Sequence, residues 1–101
     1  MTLDEYQQAA ARTMNARLSD TERLVDAAAG LAEEAGEVLG VVRKHLYQGR
    51  TLDRAAVAEE LGDALWCLSV VAGSVGLSLG EVAAANLEKL RGRHAGGFAA
   101  P

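Results

Sequence analysis

The chain is poor in cysteine, proline, histidine and aromatic residues, and each shortage closes off a class of answer. Its single cysteine, Cys67, cannot form an internal disulfide, so no covalent staple holds the fold and a reduced, cytoplasmic setting is expected. Neither of its two histidines, His45 and His94, follows a carboxylate by three residues, which removes the Glu-x-x-His pattern of di-iron bundles. Two histidines and one isolated cysteine also leave a zinc site of the common nitrogen and sulfur type without support. The only proline is Pro101, so nothing before it forces a helix to break. Only four residues are aromatic and much of the remaining apolar content is alanine, which favours close helix packing over a bulky core. There is no basic excess: the net charge is −4, which argues against a general binder of nucleic-acid polymers. A long apolar run is missing too. The uncharged stretch 64–80 is interrupted by Gly73, Gly76 and Ser78 and falls short of the roughly 20 apolar residues a membrane span requires. The opening residues, 1–6, lack both the basic region and the apolar segment of a secretory signal.

What is present reads as helix throughout. A length of 101 residues allows one small domain over residues 1–101. No segment alternates with the period of a strand, so an all-α, four-helix arrangement is the economical expectation. The first helix is expected over 3–15, with Tyr6, Ala9, Ala10 and Thr13 or Met14 facing inward. Ser19-Asp20-Thr21-Glu22 has the form of a capping box and opens a second helix over about 20–48, closed by Gly49. Asp53 is the expected N-cap of a third helix running to about Ser74. Gly76 and Leu77 turn the chain, and Ser78-Leu79-Gly80-Glu81 has the form of another capping box, opening a fourth helix that ends near Arg93. Residues 94–101 read as an irregular tail. The stretch 65–75 is apolar nearly all round and must be covered on every side. One short chain has little to cover it with, so a homo-oligomer, at least a dimer, is expected, with a patch in a larger hetero-complex as the alternative.

One pattern occurs twice. Ala32-Glu33-Glu34-Ala35-Gly36-Glu37-Val38-Leu39 returns as Ala58-Glu59-Glu60-Leu61-Gly62-Asp63-Ala64-Leu65. On a helix, residues three apart are neighbours, so each copy pairs two carboxylates on one face. The ordinary reading of such acids is a solvated, salt-bridged surface, which places Lys or Arg three or four residues away. Glu34, Glu37, Glu60 and Asp63 have no basic residue at any of those offsets. Two carboxylates about 4 Å apart repel by roughly 4 kcal/mol at an effective dielectric near 20. A hard divalent cation such as Mg²⁺, with Mn²⁺ able to substitute, relieves that repulsion directly. Gly36 and Gly62 recur between the second and third acids, and close approach of the two helices there would offset their cost in helix propensity.

Glu33-Glu34-x-x-Glu37 followed by Glu60-x-x-Asp63 resembles the signature of the MazG-like nucleoside triphosphate pyrophosphohydrolases, an all-α superfamily. The likeness takes in Tyr6-Gln7, Lys44-His45-Leu46-Tyr47-Gln48-Gly49, and Asn86-Leu87-Glu88-Lys89-Leu90-Arg91 with Arg93 behind it. The resemblance implies hydrolysis of a nucleoside triphosphate at the α-phosphorus, giving monophosphate and pyrophosphate. It also implies a dimer or a dimer of dimers, and phosphate contacts from Lys44, Asn86, Lys89 and Arg93. Lys44 lies two helical turns beyond Glu37, and Asn86, Lys89 and Arg93 form one polar face. For Lys89 and Arg93, simple complementarity to a helix C-terminus is the competing account. The metal is expected on Glu34, Glu37, Glu60 and Asp63, with Glu33 and Glu59 positioning water around it. Some pyrimidine-selective relatives carry an aromatic residue one position after Trp66, where this chain has Cys67, so a matching base preference does not carry over. The rival to the enzyme is a non-enzymatic helical interaction module with a structural cation.

Overall fold

A computed structural model describes residues 1–94 and Gly96; the rest of the expected tail over 94–101 lies outside the described residues. The described residues form four helices and no strand: α1 (Leu3–Ala11), α2 (Asp20–Tyr47), α3 (Arg54–Ser74) and α4 (Leu79–Arg93). Each begins on a side chain that accepts a free backbone amide. Thr2 and Ser19 do so as full capping boxes with Glu5 and Glu22, whereas Asp53 and Ser78 cap without a reciprocal acid. Gly49 lies just past α2 at φ 65°, and Gly76 turns the chain between α3 and α4 at φ 76°.

The first helix stops four residues short of the expected Asn15. Thr13 Oγ1 donates to the Ala10 carbonyl at 2.7 Å, and Asn15 Oδ1 accepts from the Arg17 amide at 3.0 Å. These short polar side chains offer the backbone local partners that compete with another helical turn.

α3 is the hub. It packs on α2 along much of its length, on α1 over its second half and on α4 at its end; α2 and α4 do not touch among the described residues. The covered row on α3 is Val57, Glu60, Ala64, Cys67, Val71 and Ser74, and the row facing it on α2 includes Ala27, Gly30, Leu31, Glu34, Val38 and Val41. Both rows step by three and four residues, the period of one helix face. The acids Glu34 and Glu60 therefore stand within the packing rows, not beside them. Ala35 and Leu61, one residue after Glu34 and Glu60, are exposed.

The tight glycine contact of the pair is not at the repeated glycines. An added Cβ at Gly36 or Gly62 would meet nothing within 4 Å, whereas one at Gly30 would lie 3.0 Å from Cys67 Sγ. Cys67 is buried there as a small apolar packer, and burial raises its thiol pKa. Gly30→Val is accordingly expected to overpack this contact by about 1–3 kcal/mol. That corresponds to a melting temperature lower by at least about 4 °C. Thermal melts of Gly30→Val with and without Cys67→Ala check this, since the smaller partner should recover part of the loss.

The core that one chain makes is thin. Among the described residues the buried apolar ones are Ala10, Ala27, Cys67, Val70, Ala72 and Leu79, and no large side chain is fully enclosed. Over 65–75 the cover expected on every side is incomplete. Leu61, Leu68 and Val75 form a row at seven-residue steps along α3 and are 54%, 44% and 54% exposed. The radius of gyration is 16.4 Å, against about 13 Å for a compact domain of 100 residues. The four helices do not close into a bundle within one chain: α4 leaves α3 at 100°.

Candidate metal centre

α2 and α3 run antiparallel, and their register can be read from two contacts. Gly30 faces Cys67, and Glu37 meets Glu60; α2 advances seven residues while α3 retreats by seven. That register brings the second acid copy back across the first. Glu34, Glu37 and Glu60 each offer a carboxylate oxygen, and these three oxygens lie within 4.8 Å of one another.

The trio is poorly satisfied by protein alone. Glu34 Oε2 and Glu60 Oε2 are buried without a hydrogen-bond partner. The ion pairs Arg23–Asp20 and Arg91–Glu88 do not involve the trio. Buried polar atoms without partners are uncommon, and a bound ion is one established way of satisfying them. An all-carboxylate donor set of this kind suits a hard divalent cation.

Like charges leave their mark on protonation. Glu37 is raised above the usual carboxyl range, chiefly by its contact with the Glu60 carboxyl and then by that group's charge. Glu60 is raised as well, first by its contact with Glu34; the contact with Glu37 opposes this, while burial and the charges of Glu34 and Asp63 add to it. A carboxyl whose pKa rises on folding adds stability at low pH and loses that contribution as pH climbs through the raised value. The metal-free protein should therefore melt at progressively lower temperature, through these two groups, as pH rises from about 4. A cation requires the carboxylates ionised, so the stabilisation gained from added Mg²⁺ should grow over the same window. Melting curves from acid to neutral pH with and without Mg²⁺ measure both trends. A Mg²⁺ increment that shrinks with pH would contradict binding at these groups.

The other expected residues are placed less centrally. Asp63 is exposed and outside the trio, yet its charge acts on Glu37, Glu60 and Tyr6, which sets it at the rim. Tyr6 is half-buried, and its phenol pKa is raised first by burial and then by Asp63 and Cys67, which brings α1 to the same region. Glu33 and Glu59 are exposed beside the trio and belong to no shared cluster with it. Lys44 is exposed near the end of α2, and Asn86, Lys89 and Arg93 are exposed on α4, the helix that does not touch α2. His45 Nδ1 donates to the Arg50 carbonyl at 2.7 Å and so serves the end of its helix. A cavity of about 330 Å³ opens away from the carboxylates, between α1, the start of α2 and the end of α3.

Two residues with large structural consequences escape any reading of the sequence. Asp4 and Gln7 on α1 bond to backbone groups of residues 69–80, more than 60 positions away, and no local pattern announces such partners. No curated protein and no solved structure matches the chain significantly. A family profile does: the MazG nucleotide pyrophosphohydrolase domain matches residues 24–98.

Proposed function

The chain belongs to the MazG nucleotide pyrophosphohydrolase family, and on that footing we propose that it hydrolyses nucleoside triphosphates to monophosphate and pyrophosphate with Mg²⁺. The observation that carries the reading is the convergence of Glu34, Glu37 and Glu60 with two buried, unpartnered oxygens among them. These three residues, with Asp63 at the rim, are the proposed ligands, and Mn²⁺ is an acceptable substitute for Mg²⁺. Bound there, the cation supplies positive charge for the phosphate oxygens and lowers the pKa of a coordinated water.

The chain's own groups have distinct tasks in this chemistry. A carboxylate of the cluster accepts the proton of the attacking water. The water oxygen bonds to the α-phosphorus as the bond to the bridging oxygen breaks, and pyrophosphate leaves. Glu33 and Glu59 hold water beside the ligands. Lys44 brings a point charge to the phosphates, Arg93 a planar fork, and Asn86 and Lys89 complete the polar row on α4. Clearance of unwanted (deoxy)nucleotides from the cytoplasmic pool is the proposed role. Among the described residues no single helix is long and apolar enough to cross a membrane.

The active form is proposed to be a homo-oligomer, a dimer or a dimer of dimers. The exposed row Leu61, Leu68 and Val75 and the thin monomer core support this. The decisive experiment is pyrophosphate release from a panel of canonical, modified and phosphoribosylated nucleotides, with and without Mg²⁺. Mg²⁺-dependent release from at least one of them is expected. A folded oligomer that turns over none would favour the rival, an interaction module whose exposed apolar row is itself the functional surface.

A further inference from the structure

α4 has little apolar contact to hold its direction. Leu79 is buried and Ala83 half-buried, while Val82, Leu87 and Leu90 are exposed. Its N-terminus, by contrast, is gripped by three side chains. The Leu79 amide donates to Gln7 Oε1 at 2.9 Å, the Gly80 amide to Asp4 Oδ1 at 2.7 Å and the Glu81 amide to Ser78 Oγ at 3.1 Å. These are the amides a helix leaves free at its start, and two of the three acceptors come from α1.

Gln7 does more than cap. Its Nε2 donates to the Ser69 carbonyl and to the Leu77 carbonyl, each at 3.1 Å. One side-chain amide thus joins the body of α3, the turn after it and the first residue of α4. Asp4 lies three residues before Gln7 on the same face of α1. The fit at Gly80 is tight: a Cβ there would stand 2.8 Å from Asp4 Oδ1, so the Asp4 carboxylate would have to shift. The other end of α1 is fixed to α3 by Trp66 Nε1, which donates to Thr13 Oγ1 at 2.7 Å.

We infer that Gln7, assisted by Asp4, is a positioning residue that sets the bend between α3 and α4 and so places Asn86, Lys89 and Arg93 for the substrate phosphates. This rests on the hydrolase reading above. The lever is long: Arg93 stands 14 residues beyond Leu79, so at 1.5 Å per residue a 10° change in bend moves it by about 4 Å. Misplacement of even about 1 Å can cost a hundredfold in rate. The carboxylates lie on α2 and α3 and are outside the reach of this lever.

The test is Gln7→Met, similar in length but without the amide, assayed with the best nucleotide of the panel. KM should rise, or kcat/KM fall, by at least about tenfold. The Mg²⁺ concentration for half-activation and the melting increment from Mg²⁺ alone should stay at wild-type values. Should Gln7→Met fail to fold, Gly80→Ala disturbs the same grip from the α4 side and should give the same split. A wild type that releases no pyrophosphate sinks the hydrolase reading and this inference together. An active wild type whose Gln7→Met or Gly80→Ala variant keeps its KM and kcat/KM sinks this inference alone. So does a joint shift of substrate and Mg²⁺ dependence, which is the mark of general loosening.

Discussion

Glu60→Gln is expected to lower Mg²⁺-dependent pyrophosphate release by at least about 100-fold, more than is usual for residues that only support a metal ligand. Glu60 is the strongest choice because it meets both acids of the other helix and carries one of the two buried, unpartnered oxygens. Glutamine keeps its size and shape while removing the charge. The same substitution relieves repulsion in the metal-free protein, so its melting temperature without Mg²⁺ should rise as activity collapses. That opposition of stability and activity separates a functional carboxylate from a structural one. Loss of activity together with loss of metal-free stability would instead assign Glu60 to the fold. The Mg²⁺-induced increment in melting temperature should also largely vanish, which gives a readout independent of turnover.

Leu68→Arg is expected to convert the proposed wild-type oligomer to a single chain of about half the mass or less, read by light scattering at matched concentration. Leu68 is the middle of the exposed row that includes Leu61 and Val75. In a symmetric dimer each such side chain is buried twice, once on each copy. Complete burial of a leucine side chain contributes about 1.5–3 kcal/mol, and a guanidinium in its place must be desolvated without a partner. The acidic cluster faces a different row of α3, so Mg²⁺ binding by the altered chain should persist to the extent that the single chain stays folded. The wild-type melting temperature should rise with protein concentration, and that of Leu68→Arg should not. A wild type that already runs as one chain would overturn the assembly.

Much of this architecture was legible because its signals are local. Ser19, Asp53 and Ser78 mark helix starts through side chains that reach a backbone amide three residues on. The repeated acids were readable from spacing, and the lack of nearby bases foretold their unpaired state. The Thr2–Glu5 capping box was equally available in the sequence, as a threonine followed by glutamate at the third position. Other features depend on which face meets which, and that is settled only when helices dock. The register of α2 against α3 puts Glu34 and Glu60 in the packed rows and leaves Asp63 at the rim. It also sets Gly30, a glycine outside the repeat, tightly against the Cys67 side chain. The grip of Asp4 and Gln7 on α4 lies further from view, because it joins residues from opposite ends of the chain.

The three central acids all come from a single antiparallel hairpin, while the polar row on α4 depends on the N-terminal helix for its direction. Under the proposed chemistry, ion capture is written in one contiguous half of the chain, while the nucleotide grip, Lys44 excepted, is written in its two outer parts. Drift in those outer parts would then retune which nucleotides are accepted without unseating the ion. Substrate range could diversify over an unchanging catalytic heart.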